Sequence, residues 1–207
     1  MRTYTRSTWA ALSVQSRESV EMARIPQRPQ RARIFVGCEG DSERAYAIWL
    51  QRIADSLHLP LSFDPFIAGG GDPLAIVQRC LKGMWEGERK RGAYRHKFIL
   101  LDSDRLKENA DRDREMMQIS KQDGVTLLFQ EYEHEALLLR HCDGCHTHRP
   151  PAGCGESGLK VHWPDYKKPA AAADLFKHYQ FEHLRRACTM EHDLRRFLKQ
   201  LGFPLPA

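Results

Sequence analysis

Two short apolar runs, each closed by acidic residues, constrain this chain more than any other feature in it. The first is Ile34-Phe35-Val36-Gly37-Cys38, followed at once by Glu39-Gly40. The second begins at Lys97 and runs through Phe98-Ile99-Leu100-Leu101 into Asp102-Ser103-Asp104. Apolar runs of this length without alternation belong to strands covered on both faces, as in a parallel sheet layered by helices. Gly40 permits a sharp turn, and Asp41 or Ser42 can cap the helical pattern that follows. In open α/β sheets, ligands bind beyond the carboxyl ends of the strands. Glu39, Asp102 and Asp104 at two such ends therefore make a candidate oxygen-ligand set for a hard divalent cation, Mg²⁺ or Mn²⁺.

The rest of the chain fits the same layering. A helix over 43–57 places Ala45, Ile48, Trp49, Ile53 and Leu57 on one stripe, and a second strand covers 59–67 before the Gly69-Gly70-Gly71 turn. Asp72-Pro73 opens another helix, with a capping side chain and a proline at the first helical position. Strand 97–101, a charged helix over 107–122, strand 125–129 and a buried helix from Glu135 to His141 follow. From Cys142 to Tyr166 the pattern gives way to a long loop, and one or two helices over 170–201 end at Gly202, Pro204 and Pro206. Strands alternating with helices predict an α/β fold: a mostly parallel sheet of about four strands flanked by helices, with a helical C-terminal part. One domain over 33–207 suits the length.

With 42% apolar and 29% charged residues, the composition is that of an ordinary globular domain, and no apolar run reaches the length of a membrane span. The start lacks the apolar centre of a secretory signal, so the six cysteines are read as reduced and the expected location is the cytoplasm. Residues 1–33 hold seven Arg and two Glu, so the whole formal charge of +5 falls there and the remainder is near neutral. A basic tail over 1–32 favours nucleic acid or an acidic partner surface; the competing reading is an extension without structure of its own.

Cysteine and histidine crowd one segment. His141-Cys142-Asp143-Gly144-Cys145-His146-Thr147-His148 is followed by Cys154. Cys-x-x-Cys is a spacing that zinc knuckles use, and thiolate with imidazole suits tetrahedral Zn²⁺. Cys142, Cys145, His148 and Cys154 are one candidate zinc set; the competing reading is a loop with incidental cysteines.

A lone Glu-Gly is most often a turn, and a lone Asp-x-Asp is often a helix cap. Both together, each after an apolar strand and in this order, resemble the Toprim domain of topoisomerases, primases and several nucleases. The nearer resemblance is to the small RloB-like proteins linked to abortive phage resistance. Glu135-Ala-Leu-Leu-Leu-Arg-His141 is similar to that family's glutamate–aromatic–leucine-rich–histidine motif, with Leu137 in place of the aromatic residue, and Tyr166-Lys167-Lys168 is similar to its Tyr/Lys segment.

The resemblance implies a Toprim-type fold over residues 33 to about 200. It implies Mg²⁺ or a similar ion on Glu39, Asp102 and Asp104, with the glutamate also acting in proton transfer. Glu135 becomes a support or added ligand, against the plain reading of an acidic first helical turn. His141 is expected beside the acids. The expected activity is metal-dependent phosphodiester hydrolysis in a bacterial antiphage system, beside a separate ATPase chain. Arg105, Lys167 and Lys168 are candidate contacts to a DNA or RNA substrate. Two alternatives stand: a haloacid-dehalogenase-like phosphatase with Asp102 as nucleophile and Asp104 as acid, and a non-catalytic Toprim-like module that binds a partner protein.

Overall fold

A computed structural model describes residues 30–206, so nearly all of the expected tail lies outside the described residues. The elements run β1 (Ala32–Cys38), α1 (Asp41–Ser56), β2 (Leu61–Ile67), α2 (Pro73–Arg91), β3 (His96–Asp102), α3 (Ala110–Gln122) and β4 (Thr126–Gln130). Five short helices complete the chain: α4 (His134–His141), α5 (Gly155–His162), α6 (Ala172–His178), α7 (Phe181–Ala187) and α8 (His192–Gln200).

The four strands form one sheet in the order β2-β1-β3-β4, and every pairing is parallel. The two apolar runs are therefore the two internal strands, which is why neither alternates. β2 is an edge strand, and this accommodates Pro65, which has no N–H to give to a further ladder. Asp72 caps α2 by accepting the Leu74 and Ala75 amides.

Each face of the sheet carries its own apolar layer. On one side α2 and α3 pack Ile76, Val77, Leu81, Met84 and Met116 against Phe35, Ile99 and Leu101. α2 comes so close that a Cβ on Gly37 would stand 2.7 Å from both Cys80 Sγ and Ile99 Cγ1, so only glycine fits there. On the other side α1 buries Tyr46, Ala47, Trp49 and Leu50 in one continuous cluster with side chains from α4 to α8. The Trp49 indole N–H donates to the Tyr179 carbonyl at 3.1 Å, locking the C-terminal helices onto α1.

Two expectations need correction. The segment from Cys142 to Tyr166 is not all loop, because α5 lies within it. That helix escaped the pattern: two of its eight residues are glycines and it buries only Gly155 and Leu159. The region 170–201 holds three helices rather than one or two, separated at Tyr179-Gln180 and at Cys188–Glu191. No helix among the described residues is long and apolar enough to cross a membrane.

Candidate metal centre at the strand ends

β1 and β3 are neighbours with Gly37 level with Ile99, so the residues that leave them emerge side by side. Glu39 leaves β1 next to the last residue of β3, Asp102, whose backbone N–H is directed at the Glu39 carboxylate. β3 in turn pairs with β4, Asp102 opposite Gln130. Asp104 follows in the turn, its amide held by the Tyr132 carbonyl at 3.2 Å.

Two further acids complete the cluster. Glu43 sits one turn into α1, 5% exposed, and its Oε2 accepts the Gly40 amide at 2.8 Å. That bond fixes the turn after β1 and holds the carboxylate over the sheet edge. Glu135, in the first turn of α4, is fully buried. It accepts the Tyr166 hydroxyl at 2.9 Å and the Lys168 ammonium at 3.0 Å.

The electrostatics centre on Asp102. Burial, then the charges of Glu43, Glu39, Asp104 and Glu135, push its carboxyl up to about 8. Its Oδ1 is buried and has no hydrogen-bond partner among the described residues. Glu39 is raised too, by burial first and then by Glu43 and Asp104. For Glu135 burial acts upward, but the bonds from Lys168 and Tyr166 outweigh it and hold the group below the usual glutamate range. Burial likewise disfavours the Lys168 charge, yet Glu135, Asp102 and Glu133 keep that ammonium above its ordinary value.

Such an arrangement is short of positive charge. Five carboxylates are close enough to act on one another, with Lys168 beside Glu135, and their repulsion favours the protonated form of the most central acid, Asp102. Oxygen donors alone, from rigid strand ends, fit a hard divalent cation.

A glycine-rich loop borders the site. Gly70 lies against the site, with an added Cβ only 3.9 Å from Glu39 Oε1. Arg79 stakes this glycine loop by donating to the carbonyls of Ala68, Gly69 and Gly70 at 2.7, 2.8 and 3.0 Å. Arg105 donates to Gly71 O at 3.1 Å and stays half exposed. Lys167 is exposed and makes no ion pair among the described residues, whereas Lys168 is engaged with Glu135.

Glu43 and His134 were missed by the sequence reading. Glu43 lies on the same helical face as Ala47, Leu50 and Ala54, and an acid on an apolar face is a legible signal. His134 is 1% exposed, and burial lowers its pKa from the ordinary imidazole value; its Nδ1 meets Gln130 Oε1, and its Nε2 has no partner among the described residues. His141, expected beside the acids, lies instead in an aromatic cluster. Its Nδ1–H donates to Leu137 O at 2.9 Å, and Nε2 accepts the Tyr46 hydroxyl at 3.2 Å. Burial pushes that imidazole down to about 3.

In the Cys/His-rich segment, Cys142 caps the end of α4 and Cys145 is buried three residues on. Cys154 is exposed at the start of α5, and His148 is exposed between them. No family model, no curated protein and no solved structure matches the chain.

Proposed function

We propose that this chain is a metal-dependent phosphodiesterase of Toprim type, a nuclease acting in bacterial antiphage defence as RloB-like proteins do. The observation that carries the reading is the state of Asp102. A carboxyl at the end of a central strand, ringed by four other acids and with a buried oxygen lacking a partner, is built for a cation. Glu39, Asp102 and Asp104 would hold Mg²⁺ or Mn²⁺, with Glu43 beside them. A divalent ion bound there supplies neutralisation of a phosphodiester's charge and an acidified water.

The chain's own groups supply the rest. Glu39, raised above the usual glutamate range, is poised to take or return a proton at its carboxylate. The Lys168 ammonium, anchored on Glu135, and the Arg105 guanidinium present positive charge at the rim of an otherwise acidic site. There they favour a phosphate and not a neutral ligand. Tyr166 orients Glu135 from the other side. Among the described residues nothing supplies a nucleotide-binding loop, so an ATPase, where one takes part, is a separate chain, and the setting is cytoplasmic.

The test is cleavage of single- and double-stranded DNA and RNA by the purified full chain, with Mg²⁺, with Mn²⁺ and with chelator, beside Asp102→Asn. Metal-dependent cleavage lost in the variant supports the reading. Phosphomonoester turnover without cleavage would establish the phosphatase instead. Failure of both, with a stable protein complex, would establish a binding module.

A further inference from the structure

A second cluster of metal-type donors lies on the far side of α4, and the acid site does not use it. Three short helices end there together. α4 ends at His141, α5 at His162 and α6 at His178, and their C-caps Cys142, Trp163 and Tyr179 line one cleft of about 230 Å³. The carboxyl end of a helix presents unpaired carbonyls and a partial negative charge, so three such ends facing one cleft favour a cation there.

The donors at that cleft and just behind it are soft ones: Cys142 and His162 line it, and Cys145 lies against His162. Cys145 Sγ stands 3.3 Å from His162 Nε2 and 3.6 Å from Nδ1. Sulfur and nitrogen sharing one tetrahedral Zn²⁺ sit about 3.6 Å apart, given bond lengths of roughly 2.3 and 2.0–2.1 Å. The turn Cys142–Cys145, closed by Cys145 N–H to Cys142 O at 3.1 Å and enabled by Gly144 at φ +74°, points the two thiols into the same region. Cys145 is near enough that its charge adds to burial in raising the Cys142 thiol.

Of the histidines that line the cleft, two besides His162 compete for the fourth place. His183 Nδ1 accepts the Gln180 amide at 2.8 Å, so the ring's hydrogen is on Nε2, directed toward Asp143 at 4.0 Å. That nitrogen has no lone pair to offer. His178 has no such commitment: it makes no hydrogen bond among the described residues, and its ring stacks on Trp163 at 3.9 Å between centroids. Asp143 is engaged by Arg186.

We infer that Cys142, Cys145, His162 and His178 form a structural site for zinc or a similar soft divalent ion, which pins α5 and α6 to the end of α4. The set keeps the Cys-x-x-Cys pair legible in the sequence and takes its imidazoles from helix ends far along the chain, in place of His148 and Cys154. The side chains close by rotation onto the ion, since they are not gathered around one point without it.

The experiment uses the full chain purified from medium without added zinc. Metal analysis should give about one zinc per chain, falling below about one-tenth in Cys142→Ser/Cys145→Ser and in His162→Ala/His178→Ala. His148→Ala and Cys154→Ser should keep the wild-type content. Replacement by Co²⁺ should give the intense visible bands of a tetrahedral ion together with thiolate-to-cobalt charge transfer, which an all-carboxylate site cannot produce. Both histidines are exposed, so their double variant should stay folded even where the cysteine variant does not. Full metal in the histidine variant, loss of metal in His148→Ala or Cys154→Ser, or cobalt bound without thiolate bands would each overturn the inference.

Discussion

The Tyr166 hydroxyl donates to Glu135 Oε1 at 2.9 Å across 31 positions of the chain, and Lys168 binds the other oxygen of the same carboxylate. A buried glutamate at the acid cluster is thus oriented entirely by the segment that follows the Cys/His-rich region. This side chain is one of the points at which the two parts of the molecule meet.

Tyr166→Phe should leave the fold intact but destabilise it by about 1–3 kcal/mol, because a buried carboxylate loses a hydrogen bond. The sign with pH follows from Glu135. Its folded-state pKa is depressed, so its stabilisation is present above the ordinary glutamate range and is lost as pH falls through the folded value. Removing one of its donors should move the acid limb of the stability profile to higher pH. Denaturant titrations between neutral and acid pH check this.

Asp102 forecasts the opposite slope. Its folded pKa of about 8 lies far above that of an unfolded aspartate, so the metal-free protein is favoured below about 4 and loses stability as pH rises through about 8. Mg²⁺ or Mn²⁺ should reverse the trend and displace a proton on binding. Asp102→Asn should raise the metal-free melting temperature at pH 8, by roughly 2–4 °C for every kcal/mol of repulsion removed. It should also abolish both the metal response and cleavage. A variant that still melts higher with Mg²⁺ would sink the assignment.

Glu43→Gln tests the acid that the sequence did not advertise. The amide oxygen still accepts the Gly40 N–H, so the turn holds, while the charge on the cluster falls by one. Cleavage should drop about 10- to 100-fold with a raised metal requirement, an effect of the size seen for groups that support ligands. Activity at the wild-type level across a metal titration would remove Glu43 from the site.

Lys167 and Lys168, adjacent in the chain, should behave differently. Lys167→Ala removes an exposed cation with no ion pair among the described residues, so nucleic-acid affinity should weaken across sequences and the salt slope should fall by about one. Lys168→Ala should do this and, in addition, raise the Glu135 pKa, which a carboxylate-resolved titration reads directly. Equal effects of both changes on that titration would contradict the distinction.

The strands and their acids were legible because burial on two faces writes itself as an unbroken apolar run, and Glu39 and Asp102 stand where such runs stop. The adjacency of β1 and β3 followed from their both being internal. Other features left no local trace. α5 has glycine at Gly155 and Gly158 and one buried leucine, so no periodicity marks it. His162 and His178 lie far from the Cys-x-x-Cys pair in sequence, and only the packing of short helices brings them to it. His141 sits at the end of an apolar helix in either reading, and whether it faces the acids or Tyr46 depends on tertiary packing alone.

The placement of β1 and β3 between other strands also sets a clock. Amides of internal strands exchange with solvent only when a large part of the domain opens, whereas those of short, capless helices exchange through local openings. Asp102 ends a strand of the first kind; Tyr166 and Lys168 lie in a turn between α5 and α6, which are of the second kind. Glu39 and Asp102 thus belong with the strands expected to exchange most slowly, while the partners that orient Glu135 ride on short helices expected to exchange faster. Partial opening of the C-terminal helices would release Glu135 and leave Glu39 and Asp102 in position, a separation that hydrogen exchange can time.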